Sequence, residues 1–153
     1  MPAKDISSAP VVVDASVVRV ACLSPGGFRW LETYDAIAPP LMWSEVLASL
    51  HQGLWRGEIS REEAERARGA LERAPVKSRA PAGLREEAWK LAEQLGWAKT
   101  YDAEYLALAR LAGCRMITFD ARLIRGTRRL GFVGLPLALG RGRKGVGGPK
   151  RRS

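Results

Sequence analysis

Pro10-Val11-Val12-Val13-Asp14-Ala15-Ser16-Val17-Val18 is the stretch of sequence that decides the fold. Its continuous apolar run is rich in valine, which is typical of a fully buried strand in a parallel sheet, and the run stops at the carboxylate of Asp14. Ser16 then opens a short helix that we expect to continue to about Leu23. A buried strand followed directly by a helix predicts an α/β fold.

The same alternation of short apolar strands and helices continues along the chain. Further strands are predicted at about residues 36–38, 76–78, 115–119 and 132–135. Helices are predicted at about residues 28–34, 41–55, 60–73, 84–95, 100–113 and 121–129, with Ser60 and Glu63 spaced as a capping box and Thr100 as an N-cap. Parallel strands connected by helices form a sheet that is covered on both faces. The predicted fold class is therefore α/β, a three-layer α/β/α sandwich with a central parallel sheet.

Length and composition are those of a single soluble domain. The chain has 153 residues, of which 46% are hydrophobic, and no apolar stretch approaches the roughly 18 residues of a membrane span. Residues 1–10 lack the pattern of a signal peptide, so we expect a cytoplasmic protein. Cys22 and Cys114 have no CxxC spacing and are expected to be reduced. We divide the chain into a leader at residues 1–9, one domain at residues 10–140 and a tail at residues 141–153.

The positive charge is concentrated in the tail. The whole chain has a net charge of +9, and the tail contains six basic and no acidic residues, so subtraction leaves +3 for residues 1–140. With a single apolar residue, Val146, the tail cannot offset its ordering entropy, and we expect it to be disordered. Two interpretations stay open: a nonspecific nucleic-acid tether, or a solvated end without a role. The candidate RNA contacts in the tail are Arg141, Arg143, Lys144, Lys150, Arg151 and Arg152.

Four acidic residues stand where the chain changes from an apolar run or a loop to a helix. They are Asp14, Glu45, Asp102 and Asp120. Each one alone can be explained as a helix cap or as a partner of the helix dipole, with Glu45 and Asp102 in first helical turns. In a parallel sheet, however, ligands bind beyond the carboxyl ends of the strands. We therefore expect the four carboxylates to converge at that edge of the sheet.

Carboxylates gathered in one place need a compensating cation. Two like charges about 4 Å apart repel by roughly 4 kcal/mol at an effective dielectric constant near 20. Oxygen ligands select hard cations such as Mg²⁺ or Mn²⁺, and the single histidine, His51, disfavours a zinc site. Such a cation withdraws charge from a phosphate and acidifies a bound water, so the pattern favours a nuclease. Nearby hydroxyl groups are supplied by Ser16, Ser44, Thr100 and Thr118.

Four motifs resemble, in order, those of the PIN-domain ribonucleases, and most closely the VapC-type toxins of prokaryotic toxin–antitoxin pairs. The resemblance covers about residues 11–135. Any single motif is weakly specific, but four in the family's order are strongly so. The motifs are Val12-Val13-Asp14-Ala15-Ser16-Val17-Val18, Ser44-Glu45-Val46-Leu47, Tyr101-Asp102-Ala103-Glu104-Tyr105-Leu106-Ala107-Leu108-Ala109 and Ile117-Thr118-Phe119-Asp120-Ala121-Arg122-Leu123.

The resemblance implies a magnesium- or manganese-dependent endoribonuclease. It implies that one or two metal ions are bound by Asp14, Glu45, Asp102 and Asp120, and that Ser16 and Thr118 orient ligands or solvent. Attack of an activated water on RNA would leave 5′-phosphate and 3′-hydroxyl ends. The resemblance also implies a homodimer and a VapB-type antitoxin that places a basic side chain in the acidic site. Glu104 has no clear role in the family and is expected to be a surface charge.

Two alternatives to a toxin stay open. One is a PIN-domain ribonuclease of RNA processing, and the other is a noncatalytic RNA-binding module whose acidic residues are helix caps. A phosphotransfer receiver is disfavoured because no lysine follows a strand in the required way. His51 is expected to be structural and turned away from the catalytic face. We expect the tryptophans to be buried in the core, with a dimer face or antitoxin groove as the alternative for some: Trp30, Trp43, Trp55, Trp89 and Trp97.

Overall fold

Strands and helices alternate along the chain, as predicted. The computed structural model describes residues 9–136, and our predictions for the leader, except Ala9, and for the basic tail lie outside this range. The strands found there are β1 (Pro10–Val13), β2 (Asp35–Ala38), β3 (Lys77–Ser78), β4 (Arg115–Ile117) and β5 (Val133–Gly134). The α-helices found there are α1 (Ala15–Leu23), α2 (Leu41–Trp55), α3 (Arg61–Leu71), α4 (Leu84–Leu95), α5 (Tyr101–Ala112) and α6 (Ala121–Gly126).

All five strands are parallel and lie in the order β3-β2-β1-β4-β5. β1 is central and pairs with β2 on one side and β4 on the other. The chain runs outward from β1 to β2 and β3, and then crosses to β4 on the opposite side of β1. This reversal creates a topological switch point between β1 and β4, which is where open parallel sheets bind ligands.

The helices cover the sheet in two groups. α1, α2 and α3 pack against one another, while α4 packs along α5, which contacts β1 and β4. Val12, Val13, Met116 and Ile117 of the central strands are completely buried, as expected for strands that are covered on both faces. The predicted three-layer α/β/α sandwich with a central parallel sheet is confirmed.

The differences from the predicted secondary structure are confined to short elements and caps. The helix predicted at residues 28–34 is instead a turn followed by a 3₁₀ helix at Leu31–Thr33. Thr100 occupies the N-cap position of α5, but its side chain makes no capping hydrogen bond. The capping box of α3 is confirmed: Glu63 N–H donates to Ser60 Oγ at 3.0 Å, and Ser60 N–H donates to Glu63 Oε2 at 2.8 Å.

Exposure of the tryptophans corrects one prediction. Trp55 and Trp89 are 85% and 62% exposed, because they lie at the end of α2 and on the outer face of α4. The other three tryptophans pack against the core while remaining partly accessible. Cys22 and Cys114 are both free thiols, as expected. Between residues 9 and 136, no helix has the length and apolar character needed to cross a membrane.

Candidate active site

Asp14 and Thr118 form the centre of the candidate site because their strands are neighbours. The last residues of β1 and β4 are paired in register, so the residues that follow them lie side by side. The Thr118 hydroxyl donates to Asp14 Oδ2 at 2.5 Å, and the Ser16 hydroxyl donates to Oδ1 at 2.6 Å. Val17 N–H also donates to Oδ1 at 3.2 Å, so Asp14 caps α1. The same buried carboxylate is therefore both a helix cap and part of a polar cluster.

Hydroxyl groups connect the ends of β1 and β4. Ser16 Oγ accepts a hydrogen bond from Phe119 N–H at 3.0 Å and lies 3.4 Å from Thr118 Oγ1. Thr118 Oγ1 accepts from Asp120 N–H at 3.0 Å. The Asp120 carboxylate in turn accepts from two backbone N–H groups in the first turn of α6. This network fixes Asp14 and Asp120 at one edge of the sheet.

Glu45 reaches the site from α2. The helix begins at Leu41, so Glu45 lies beyond its first turn, contrary to prediction, and a simple dipole explanation is disfavoured. The Tyr105 hydroxyl on α5 donates to Glu45 Oε1 at 3.1 Å. Burial and the negative charge of Glu45 raise the pKa of Tyr105, which keeps the phenol protonated as a donor. Tyr105 therefore fixes the orientation of Glu45.

Electrostatic repulsion couples the buried and half-buried carboxylates of the candidate site. Burial raises the pKa of Asp14, and the negative charge of Asp102 raises it further. The hydrogen bonds that Asp14 accepts lower its pKa but do not cancel these two effects. Burial also raises the pKa of Glu45 to about 7, assisted by repulsion from Asp102, Asp14 and Glu104. The pKa of Asp102 is raised by partial burial and by the charge of Asp120. Asp14, Glu45 and Asp102 therefore each feel the charge of at least one other carboxylate.

The chemistry of these donors fits a hard divalent cation. Within residues 9–136, none of the four carboxylates forms an ion pair with a basic side chain. A cation would reverse the upward pKa shifts, because a nearby positive charge favours the ionised form of a carboxylate. In the described part of the chain, no three histidine, cysteine, aspartate or glutamate side chains already lie close enough to enclose an ion together. The site is thus an open acidic cluster whose repulsion a divalent cation would relieve.

Comparison with known proteins identifies the family. Residues 11–128 match the family model described as the PIN domain. This chain belongs to the PIN-domain family. Ribonuclease VapC9 of Mycobacterium tuberculosis and a VapC ribonuclease of Mycobacterium bovis are each 32% identical to it over 114 residues, which is 74% of this chain and 87% of theirs. These relatives confirm the resemblance to VapC-type ribonucleases.

A solved structure supports the fold independently. The crystal structure of PAE2754 from Pyrobaculum aerophilum superposes on this PIN domain with a TM-score of 0.62. The match covers 86% of this chain and 92% of that one at 19% sequence identity. At this identity the likeness concerns the fold, and it agrees with the all-parallel sheet described above.

Glu104 is a feature of the PIN-domain site that the sequence analysis misjudged. The expectation of a surface charge is wrong, because Glu104 is half-buried and its charge raises the pKa of Glu45. Burial raises the pKa of Glu104 itself, while Arg85 lowers it. The available signal was its place in the first turn of α5, because several residues of a first turn can reach the space beyond the helix end. Tyr105 lies beyond this first turn and was missed because its hydrogen bond to Glu45 connects two different helices.

Other sequence candidates lie elsewhere in the PIN domain. Ser44 and His51 line a groove between α2 and α3, away from the hydroxyl network. Thr100 precedes α5, and within residues 9–136 its side chain makes no hydrogen bond to any of the four carboxylates. Ser16 and Thr118 are thus the two hydroxyl residues, among those singled out from the sequence, that contact Asp14 directly.

Proposed function

We propose that this VapC-type PIN domain is a metal-dependent endoribonuclease that acts as the toxin of a VapBC-type toxin–antitoxin pair. The observation that supports the proposal is the position of Asp14 and Asp120 just after β1 and β4, with the charge of Asp102 raising the pKa of Asp14 and Glu45. The relatives named as ribonucleases support RNA as the substrate. Their 32% identity extends over most of the chain.

The four carboxylates would hold one or two Mg²⁺ or Mn²⁺ ions, directly or through water. A divalent cation at this position supplies charge stabilisation to the phosphate and acidifies the attacking water. Ser16 and Thr118 hold both oxygens of Asp14 in place, and Tyr105 holds Glu45. A carboxylate of the cluster accepts the proton of the attacking water. The products are RNA fragments with 5′-phosphate and 3′-hydroxyl ends.

The partners follow from the same family membership. We propose a VapB-type antitoxin that inserts a basic side chain into the acidic cluster and so neutralises its repulsion. We also propose that the protein is a homodimer and works in the cytoplasm, where its RNA substrate is found. Coexpression tests the toxin role: the gene should arrest growth when expressed alone, and the neighbouring open reading frame should restore growth. Growth unaffected by an active nuclease would instead indicate an RNA-processing enzyme.

Substitution of the carboxylates tests the nuclease activity. We expect Asp14→Asn and Asp102→Asn to reduce cleavage of a broad RNA panel by at least about 100-fold, because each removes a negative charge from the acidic cluster. Cleavage should require Mg²⁺ or Mn²⁺ and stop on addition of EDTA. The matched control is Asp35→Asn, because Asp35 lies at the opposite edge of the sheet, where it pairs with Lys77. Full cleavage by both site variants, or no cleavage by the unmodified protein, would refute the proposal.

A noncatalytic RNA-binding module is the second candidate, because Asp14 and Asp120 do cap α1 and α6. If capping is their whole role, RNA binding should survive chelation, and metal titration should show no saturable site. Isothermal titration calorimetry with Mn²⁺ distinguishes the two candidates. A saturable signal that disappears in Asp14→Asn supports the nuclease.

A further inference from the structure

A polar pocket adjoins the acidic cluster between α1 and α2. Its volume is about 370 Å³, and its lining includes both charged and neutral polar side chains. Ser16 and Glu45 belong to this lining as well as to the acidic site, so the pocket and the site share a wall. The other polar lining residues are Arg19, Ser49, Gln52, Arg56 and Glu58.

Arg19 is held in this pocket without a charged partner. It lies three residues after Ser16 and so on the same side of α1. Its Nε is buried and has no hydrogen-bond partner within residues 9–136. No carboxylate in that part of the chain lies within 4.0 Å of its guanidinium group. The charge of Arg19 is therefore available to a ligand.

The helix opposite is shaped to accommodate the guanidinium. Gly53 of α2 is buried, and a Cβ atom at this position would lie 3.1 Å from Nη2 of Arg19. A larger residue would therefore require the guanidinium or the side chain of Ile59 to shift by a few tenths of an ångström. Arg56, at the end of the same helix, adds a second positive charge, with Glu58 3.9 Å away at an exposed position. The pocket thus combines one positioned arginine with a second arginine at its rim.

We propose that Arg19 binds a backbone phosphate of the RNA next to the phosphate that is cleaved, with Arg56 assisting at the rim. This inference rests on the proposed nuclease function. A guanidinium group matches two phosphate oxygens through paired N–H donors, which a lysine cannot do. Ser49 and Gln52 offer neutral hydrogen-bonding groups to the adjacent sugar. Because Ser16 and Glu45 line both the pocket and the acidic site, a phosphate in this pocket adjoins the acidic cluster.

Steady-state cleavage tests this contact. The probe is a 5′-fluorescein-labelled single-stranded RNA that the full-length protein cleaves in Mg²⁺. We expect Arg19→Ala to raise KM about tenfold with little change in kcat, because contact with a neighbouring phosphate is made equally before and during reaction. The slope of log KM against log salt should fall by about 0.7, the value for one phosphate of a single strand. Arg19→Lys should keep the salt slope but raise KM about threefold.

The matched control is Arg73→Ala. Arg73 is exposed and follows α3 at the opposite edge of the sheet. Arg73→Ala removes one positive charge, as Arg19→Ala does, but it should change neither KM nor the salt slope. Gly53→Ala provides a second variant in case Arg19→Ala does not fold, because it keeps the charge but crowds the guanidinium. It should raise KM about threefold or more.

A neutral phosphate analogue locates the contact. Methylphosphonate replaces, one at a time, the phosphates beside the scissile position. At one position it should raise KM of the unmodified protein about tenfold and have no further effect in Arg19→Ala. Additive effects at every position would overturn the inference. Unchanged KM and salt slope in a folded Arg19→Ala protein would do the same and leave Arg19 with a packing role.

A binding experiment under conditions that prevent cleavage separates this inference from the proposed function. The ¹⁵Nε–¹H resonance of Arg19 is followed by NMR during titration of the full chain with a trinucleotide RNA in EDTA. A saturable shift supports the phosphate site even if no RNA is cleaved, in which case only the nuclease function fails. Absence of a shift in a protein that cleaves RNA contradicts the phosphate site alone. Weaker binding of the antitoxin but unaltered RNA kinetics in Arg19→Ala would assign the pocket to a protein partner instead.

Discussion

Among single residues, Glu45 couples the acidic cluster most directly to pH. Its pKa is raised from the ordinary value of 4.5 to about 7, mainly by burial. Glu45 therefore binds a proton more tightly in the folded protein than in the unfolded chain. Its contribution to stability is fully present below about pH 4.5 and is lost as the pH rises through about 7. We expect metal-free protein to lose about 1 kcal/mol of unfolding free energy between pH 5 and pH 8, since solvent screens part of the effect. Urea denaturation in EDTA at several pH values measures it.

The control for this prediction is Glu45→Gln, which removes the titration and should flatten the pH dependence. Mg²⁺ should also flatten it in the unmodified protein, because a bound cation lowers the pKa of Glu45. A pH dependence that is identical in the variant and the unmodified protein would show that Glu45 is not the responsible group.

At the level of elements, the sequence predicted the strand ends better than the helix faces. The positions of Asp14 and Asp120 follow from two apolar runs and from the rule that parallel strands end at one edge. The effect of Glu104 on the pKa of Glu45 depends on how α5 and α2 are rotated, and one residue of shift in a helix turns a side chain by about 100°. Arg19 was overlooked because its significance comes from a glycine on another helix, Gly53. No spacing within the sequence specifies such contacts.

The start of α3 offers a test of a local prediction that the structure confirms. Ser60→Ala removes the acceptor for Glu63 N–H, and we expect it to lower the free energy of unfolding by about 1 kcal/mol. Cleavage at saturating RNA should be unchanged, because neither Ser60 nor Glu63 lines the acidic cluster or the pocket beside it. Urea denaturation monitored by tryptophan fluorescence measures the loss. Ser60→Asp, which can still cap, should remain within about 0.5 kcal/mol of the unmodified protein, and an equal loss in both variants would argue against the capping explanation.

In the whole molecule, most of the net positive charge and the four carboxylates of the candidate site lie in different parts of the sequence. Residues 1–140 have a net charge of only +3 by subtraction and contain the acidic cluster, whereas residues 141–153 carry six basic groups. An RNA substrate must approach an acidic site despite its own negative charge. In our proposal a divalent cation and the Arg19 pocket would act locally on that repulsion, while the basic segment at residues 141–153 would raise the encounter rate without contacting the reacting phosphate.

Deletion of residues 141–153 tests this division. We expect weaker RNA binding at low salt and a shallower slope of log affinity against log salt, because each lost phosphate contact reduces the slope by about 0.7. The rate constant for cleavage at saturating RNA should be unchanged, since the deletion leaves Asp14, Glu45, Asp102 and Asp120 intact. Fluorescence anisotropy at several salt concentrations and single-turnover cleavage provide the two readouts. A full-length control with the six basic residues replaced by glutamine should behave like the deletion, and an unchanged salt slope in both proteins would exclude direct contact between this segment and RNA.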